Sequence, residues 1–201
     1  TDKTVSDFLG IDLSKIDINS FVKFFLIQEL SRNSDECWSI KMYKERNDEH
    51  FYFGPVWDFD IAFENDITVY PMYNRNQFII EYGHSFASSS KFFEKILIDE
   101  NVIKYMKYLW QNIYENKLKD GYLIKYIDNF VKNINESQRL NFIRWDILDK
   151  LVGINPIIKY SYENEINSLK EFTRNRTIWM NKNILGDDLY DRYKSNNGMY
   201  L

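Results

Sequence analysis

The 201-residue chain is 44% hydrophobic and 17% aromatic, enough apolar side chain for one folded domain with a sizeable core. General disorder is thereby excluded. A net charge of -4 gives no electrostatic pull towards nucleic acid or an anionic membrane, and no apolar run approaches the ~20 residues of a spanning helix. Cys37 is the only cysteine, so an internal disulfide and a thiolate-rich zinc site are also excluded.

Residues 1–18 mix polar and apolar side chains and are expected as an entry segment with one short helix. A helix is predicted from about Ser20 to Ser31, with Asn19 or Ser20 as N-cap. Phe21, Phe24, Phe25 and Gln28 share one stripe, which Ile27 and Leu30 widen, as in a core helix. Arg32-Asn33-Ser34-Asp35 ends it, because Asn tolerates the left-handed conformation of a C-terminal cap.

Next, Trp38, Ile40 and Met42 alternate with Ser39, Lys41 and Tyr43, a strand pattern. Asn47-Asp48-Glu49 is a polar turn, and Phe51 to Trp57 is predicted as a second strand. The resulting hairpin brings Asn33 and Asp35 near Asp58 and Asp60. Lys41, Lys44 and Arg46 are expected to be solvated hairpin charges.

The stretch Gly54-Pro55-Val56-Trp57-Asp58-Phe59-Asp60 carries the clearest chemical signal. Two carboxylates two apart on an extended segment point to one side. Close like charges raise a pKa unless something neutralises them, and Mg²⁺ prefers carboxylate oxygens. The plainer alternative is a surface turn with two solvated acids. The flanking Phe51, Tyr52, Phe53, Trp57 and Phe59 argue against free solvation, since aromatic area is normally buried.

Residues 64–87 show no clean period, and such a loop is expected to border the cleft. From Ser88 onward the pattern is helical. Phe92, Phe93, Ile96 and Leu97 form one face, and Val102, Ile103, Met106, Leu109, Trp110 and Ile113 the next, after a break near Asp99. A third face holds Leu123, Ile124, Ile127, Phe130, Val131 and Ile134, in a helix predicted to continue to Leu148. Gly153 and Pro156 interrupt, and a last helix carries Ile166, Leu169, Phe172, Thr173 and Trp179. Residues 186–201 are expected as a polar tail, with Asp187, Asp188 and Asp191 as tail acids. The fold class is mainly α with a small β-hairpin.

Asn33-x-Asp35 followed by Pro55-Val56-Trp57-Asp58-Phe59-Asp60 resembles the spore coat protein H (CotH) kinase-like family. The helix before Asn33, and Tyr162 to Ile166 with Arg176-x-x-Trp179, are similar to the same family, so the resemblance spans about residues 17–185. It implies the carboxy-terminal lobe of an atypical protein-kinase fold, using Mg²⁺ and ATP to phosphorylate Ser or Thr of spore-coat or surface proteins. Asp35 would be the catalytic acid/base. Asp58, Asp60 and Asn33 would hold the metal, and Trp57 would lie against the nucleotide. No Gly-rich phosphate loop and no strand-borne Lys occur within the 34 residues ahead of Asp35. The expectation is that the amino-terminal lobe lies outside this chain and that the fragment alone is inactive.

Two other functions use the same residues. One is a non-catalytic coat or surface adhesion protein with a kinase-like fold. The other is a two-metal hydrolase, which commonly needs His ligands as well as acids. Only His50 and His84 exist, expected as a solvated turn residue and a packing or cleft-rim residue. Cys37, beside Trp38, is expected in the core.

Overall fold

Helix α1 spans Ile18–Ser31 and runs through the middle of the molecule. The computed structural model describes residues 12–36, 40–69, 77–83 and 88–197. Cys37, Trp38, His84 and Pro71 fall outside them, so the expectations placed on those residues lie outside the described structure. Phe21, Val22 and Phe25 of α1 are fully buried, and Phe24 and Leu26 nearly so. The predicted stripe is therefore inside, Gln28 included, but Ile27 is 45% exposed and does not widen it.

The N-cap of α1 is Asp17 rather than Asn19 or Ser20. Its carboxylate accepts the Ser20 N–H at 2.7 Å, satisfying a first-turn donor that would otherwise lack a partner. Ser20 uses its hydroxyl elsewhere, accepting the Phe53 N–H at 3.0 Å and so fastening α1 to the hairpin. At the other end the left-handed residue is Arg32 (φ 51°), one position before the predicted Asn. The Asn33 N–H then reaches back to the Gln28 carbonyl at 3.1 Å, closing the helix with a six-residue return bond.

The hairpin is smaller than its alternation suggests. Strands β1 (Met42–Tyr43) and β2 (Tyr52–Phe53) pair antiparallel, Met42 with Phe53 and Tyr43 with Tyr52. Their tyrosine rings stack at 5.3 Å. Beyond Phe53 stands Gly54 with φ 124°, a conformation that a side chain disfavours, and then Pro55, which has no N–H for a ladder. Pairing stops there, so the predicted strand to Trp57 does not form.

The other α-helices among the described residues are α2 (Ile79–Gly83), α3 (Ser88–Leu97), α4 (Glu100–Ile113), α5 (Tyr122–Asn133), α6 (Asn135–Arg144), α7 (Tyr162–Leu185) and α8 (Leu189–Asn197), with short 3-10 turns at Leu13–Lys15 and Ile67–Val69 and a π-helical turn at Tyr114–Leu118 after α4. The predicted break near Asp99 is the N-cap of α4, its carboxylate accepting the Asn101 N–H at 2.8 Å. Around α1 pack α4, α7 and β2. Phe21 meets Phe53 and Phe93 edge to face at 5.2 and 5.5 Å, and Trp110 of α4 is buried with its indole N–H on Asn181 of α7.

Three helical expectations need correction. The third face is only half-buried, and no residue of α5 is fully buried. Tyr122, Tyr126 and Phe130 instead form an exposed stack along it, with centroids 6.4 and 6.5 Å apart. The helix predicted to reach Leu148 breaks at Ile134 and ends at Arg144. The supposed polar tail contains α8, where Leu189 and Tyr193 are fully buried, because two apolar contacts one helical turn apart suffice to dock a short helix. Among the described residues the result is a mostly helical domain with a two-stranded antiparallel sheet.

Candidate active site

The turn after α1 and the 54–66 segment meet at one corner. Asn33 is the joint: it is 1% exposed, and its amide nitrogen donates to Gln28 Oε1 at 2.9 Å and to the Asp58 carbonyl at 3.2 Å. Its amide oxygen accepts the Asp35 N–H at 3.2 Å. One buried side chain thus ties the main chains of Asp35 and Asp58 together, although 23 positions separate them in sequence. Asn33 was expected as a metal ligand; its amide has protein partners on both atoms.

Asp58 and Asp60 come together by a turn, not by the alternation of a strand. Asp58 takes a left-handed conformation (φ 61°), which Asp tolerates better than most residues. Phe59, between them, lines an apolar groove of about 440 Å³ with Ile27, Leu30, Val56, Leu123 and Tyr126. Anchoring Phe59 there leaves both carboxylates at the surface. The Asp60 carbonyl is held by the Asn65 amide at 2.8 Å, and the Phe63 N–H donates to the Ser31 carbonyl at 2.8 Å.

The two carboxyls share a hydrogen bond that holds Asp58 above the ordinary carboxylate range. Partial desolvation and the charges of Asp60 and then Asp35 push the same way, and the Lys41 ammonium opposes them. Asp35 acts through its field rather than through a hydrogen bond. Among the described residues, no three His, Cys, Asp or Glu side chains form a group that could hold a metal ion by themselves. The predicted three-acid cluster is therefore a carboxyl pair with a third acid nearby. That pair still fits Mg²⁺, which is usually held by one or two carboxylates with water and substrate oxygens completing its shell. A cation there would favour the ionised form of the Asp58 carboxyl.

Trp57, beside Asp58, is 55% exposed, and the Lys41 ammonium lies 5.5 Å from its ring centroid. Lys41 is thus not merely a solvated hairpin charge. His50 is exposed and bonded to Asp48 at 2.8 Å, in the turn as expected.

Several supporting residues escaped sequence reasoning. Ser34 donates its hydroxyl to Asp66, which is buried and also accepts the Thr68 N–H at 2.8 Å. Beneath the corner, Glu29 and Arg176 form a fully buried ion pair at 2.9 Å. Glu29 also accepts the N–H groups of Ile79 and Ile80 at 2.8 and 3.1 Å. Arg176 donates to the carbonyls of Glu29 at 2.8 Å and Gln77 at 2.9 Å. Burial pushes Glu29 up to about 7, against the pull of Arg176 and the two N–H donors. Glu36 is buried with neither carboxyl oxygen hydrogen-bonded, and its pKa is raised well above the usual range, first by burial and then by Glu29. Only a polar residue inside an apolar helical pattern could have signalled Glu29. Nothing in the sequence paired it with a residue 147 positions away.

The family model described as CotH kinase protein matches residues 13–180. The chain belongs to the CotH kinase family. No curated protein and no solved structure matches it. The family match takes in the Asn33 corner, the Asp58–Asp60 pair and the Glu29–Arg176 clamp together. The helical architecture with its small sheet is consistent with a kinase-like fold.

Proposed function

We propose that this CotH domain is the carboxy-terminal part of an atypical protein kinase that transfers the γ-phosphoryl of ATP to a Ser or Thr hydroxyl of a coat or surface protein. Phosphoryl transfer asks a protein chiefly for positioning and charge neutralisation. Asp35 is the acid that accepts the hydroxyl proton as the acceptor oxygen bonds to phosphorus and the bond to ADP breaks. Asp58 and Asp60 hold Mg²⁺, which when bound neutralises phosphate charge. Trp57 offers an exposed ring to the nucleotide. Asn33 serves as the frame that keeps the acids in register. Membership of the family supports the reaction class. The observation that carries the assignment of residues is the Asn33 amide, bonded to the main chains of both Asp35 and Asp58.

Calorimetric titration of Mg²⁺ into the protein tests the metal site: Asp58→Asn should abolish the binding heat. Labelled ATP with the full-length protein and an acceptor protein tests the chemistry. Transfer should be lost in Asp35→Asn, and transfer that survives would remove Asp35 from the reaction.

A further inference from the structure

We infer that Lys41 is a phosphate-contacting cation, reaching from the hairpin to the oxygens of a metal-bound polyphosphate at the Asp58–Asp60 pair. This rests on the phosphotransferase reading above and adds a residue that the reading does not supply. The Lys41 carbonyl accepts the Gly54 N–H at 2.9 Å, one rung beyond the Met42–Phe53 pair. Its main chain is therefore pinned opposite the start of the acid-bearing segment. Its side chain returns along that segment and ends 5.5 Å from the Trp57 ring centroid, one residue before Asp58. The ammonium makes no salt bridge of 4 Å or less with Asp58 or Asp60, the acids that follow Trp57. Lys15, Lys104, Lys119, Lys150, Lys159 and Lys170 each pair with a carboxylate instead.

A cation beside, but not on, a carboxyl pair has a definite preference. Bare Mg²⁺ arriving at Asp58 and Asp60 is repelled by Lys41. Mg²⁺ carried by a polyphosphate brings surplus negative charge, and Lys41 attracts it. The exposed Trp57 face holds the lysine only weakly, so the ammonium is free to swing to a phosphate oxygen.

The test is calorimetry with Mg·ATP, Mg·tripolyphosphate and Mg²⁺ alone. Lys41→Met should weaken both polyphosphate complexes by about tenfold to a hundredfold, the worth of a hydrogen bond to a charged group. The same variant should bind Mg²⁺ alone as well as, or better than, the wild type. Lys41→Arg should keep most of the affinity, and Lys44→Met should change nothing. Unchanged polyphosphate affinity in Lys41→Met, with Asp58→Asn still abolishing Mg²⁺ binding, would overturn the role of Lys41 and leave the metal site standing. Parallel loss of Mg²⁺ and polyphosphate binding would reduce Lys41 to a structural residue. Failure of the wild type to bind any polyphosphate would overturn both.

Discussion

The side-chain amide of Asn33 donates to the main-chain carbonyl of Asp58 across 3.2 Å. That bond joins the turn after the core helix to the loop that carries the acid pair. Replacing Asn33 with Ala leaves the Asp58 carbonyl, the Gln28 amide oxygen and the Asp35 N–H each without this partner. The expected cost is about 1–3 kcal/mol of unfolding free energy, measured by urea denaturation. Mg²⁺ affinity should fall as well, because Asp58 loses its anchor. Stability loss with Mg²⁺ affinity intact would mean that Asn33 holds the fold and not the site.

Asp60 raises Asp58 chiefly through their shared hydrogen bond. Asp60→Asn replaces an acid with an amide that can donate to the Asp58 carboxylate, so the Asp58 titration should move to lower pH. NMR detection of the side-chain carboxyl carbons would follow it directly. Saturating Mg²⁺ should move the wild-type Asp58 titration in the same direction. A titration unmoved by either change would contradict the pairing.

Arg176 is the counter-charge of Glu29 in a site closed to water. Arg176→Met strands a buried carboxylate, and breaking such a pair typically costs about 3–5 kcal/mol. Glu29 is already pushed up to about 7 with its partner present, and without it the pKa climbs further. A folded pKa above the unfolded one gives stability that is complete below the unfolded pKa and lost as pH rises through the folded one. Arg176→Met should therefore be less damaging at pH 5 than at pH 8, read from urea midpoints. The double variant Glu29→Gln/Arg176→Met should recover part of the loss.

Glu36 presents the same sign without a partner. Burial raises its folded pKa, so its contribution weakens as pH climbs above the unfolded carboxyl range. Glu36→Gln cannot lose a proton and should be more stable than the wild type at pH 8. Near pH 4 the two proteins should be alike. Circular dichroism melts across that range would check it, and a variant equally affected at both ends would refute it.

Much of this was legible in the residues alone. Helical spacing of Phe21, Phe24 and Phe25 marks a core helix, since burial of one stripe needs only local periodicity. The paired motifs around Asn33 and Asp58 point to the family, because those motifs are contiguous in sequence. Strand lengths were overestimated: alternation at 51–57 says nothing of the Gly54 conformation that ends pairing. The exposed aromatics of α5 escaped too, because periodicity reveals a face but not whether another element covers it.

What the amino-acid order determined by itself is the helical class, the family, and the two contiguous motifs that carry Asn33, Asp35, Asp58 and Asp60. Tertiary structure alone decided that Asp58 pairs with Asp60 through a turn, that Asn33 braces both acids from inside, and that Glu29 meets Arg176 beneath them. Those are contacts between distant segments. They depend on packing geometry and on which charges lose their water, and neither is written in local spacing.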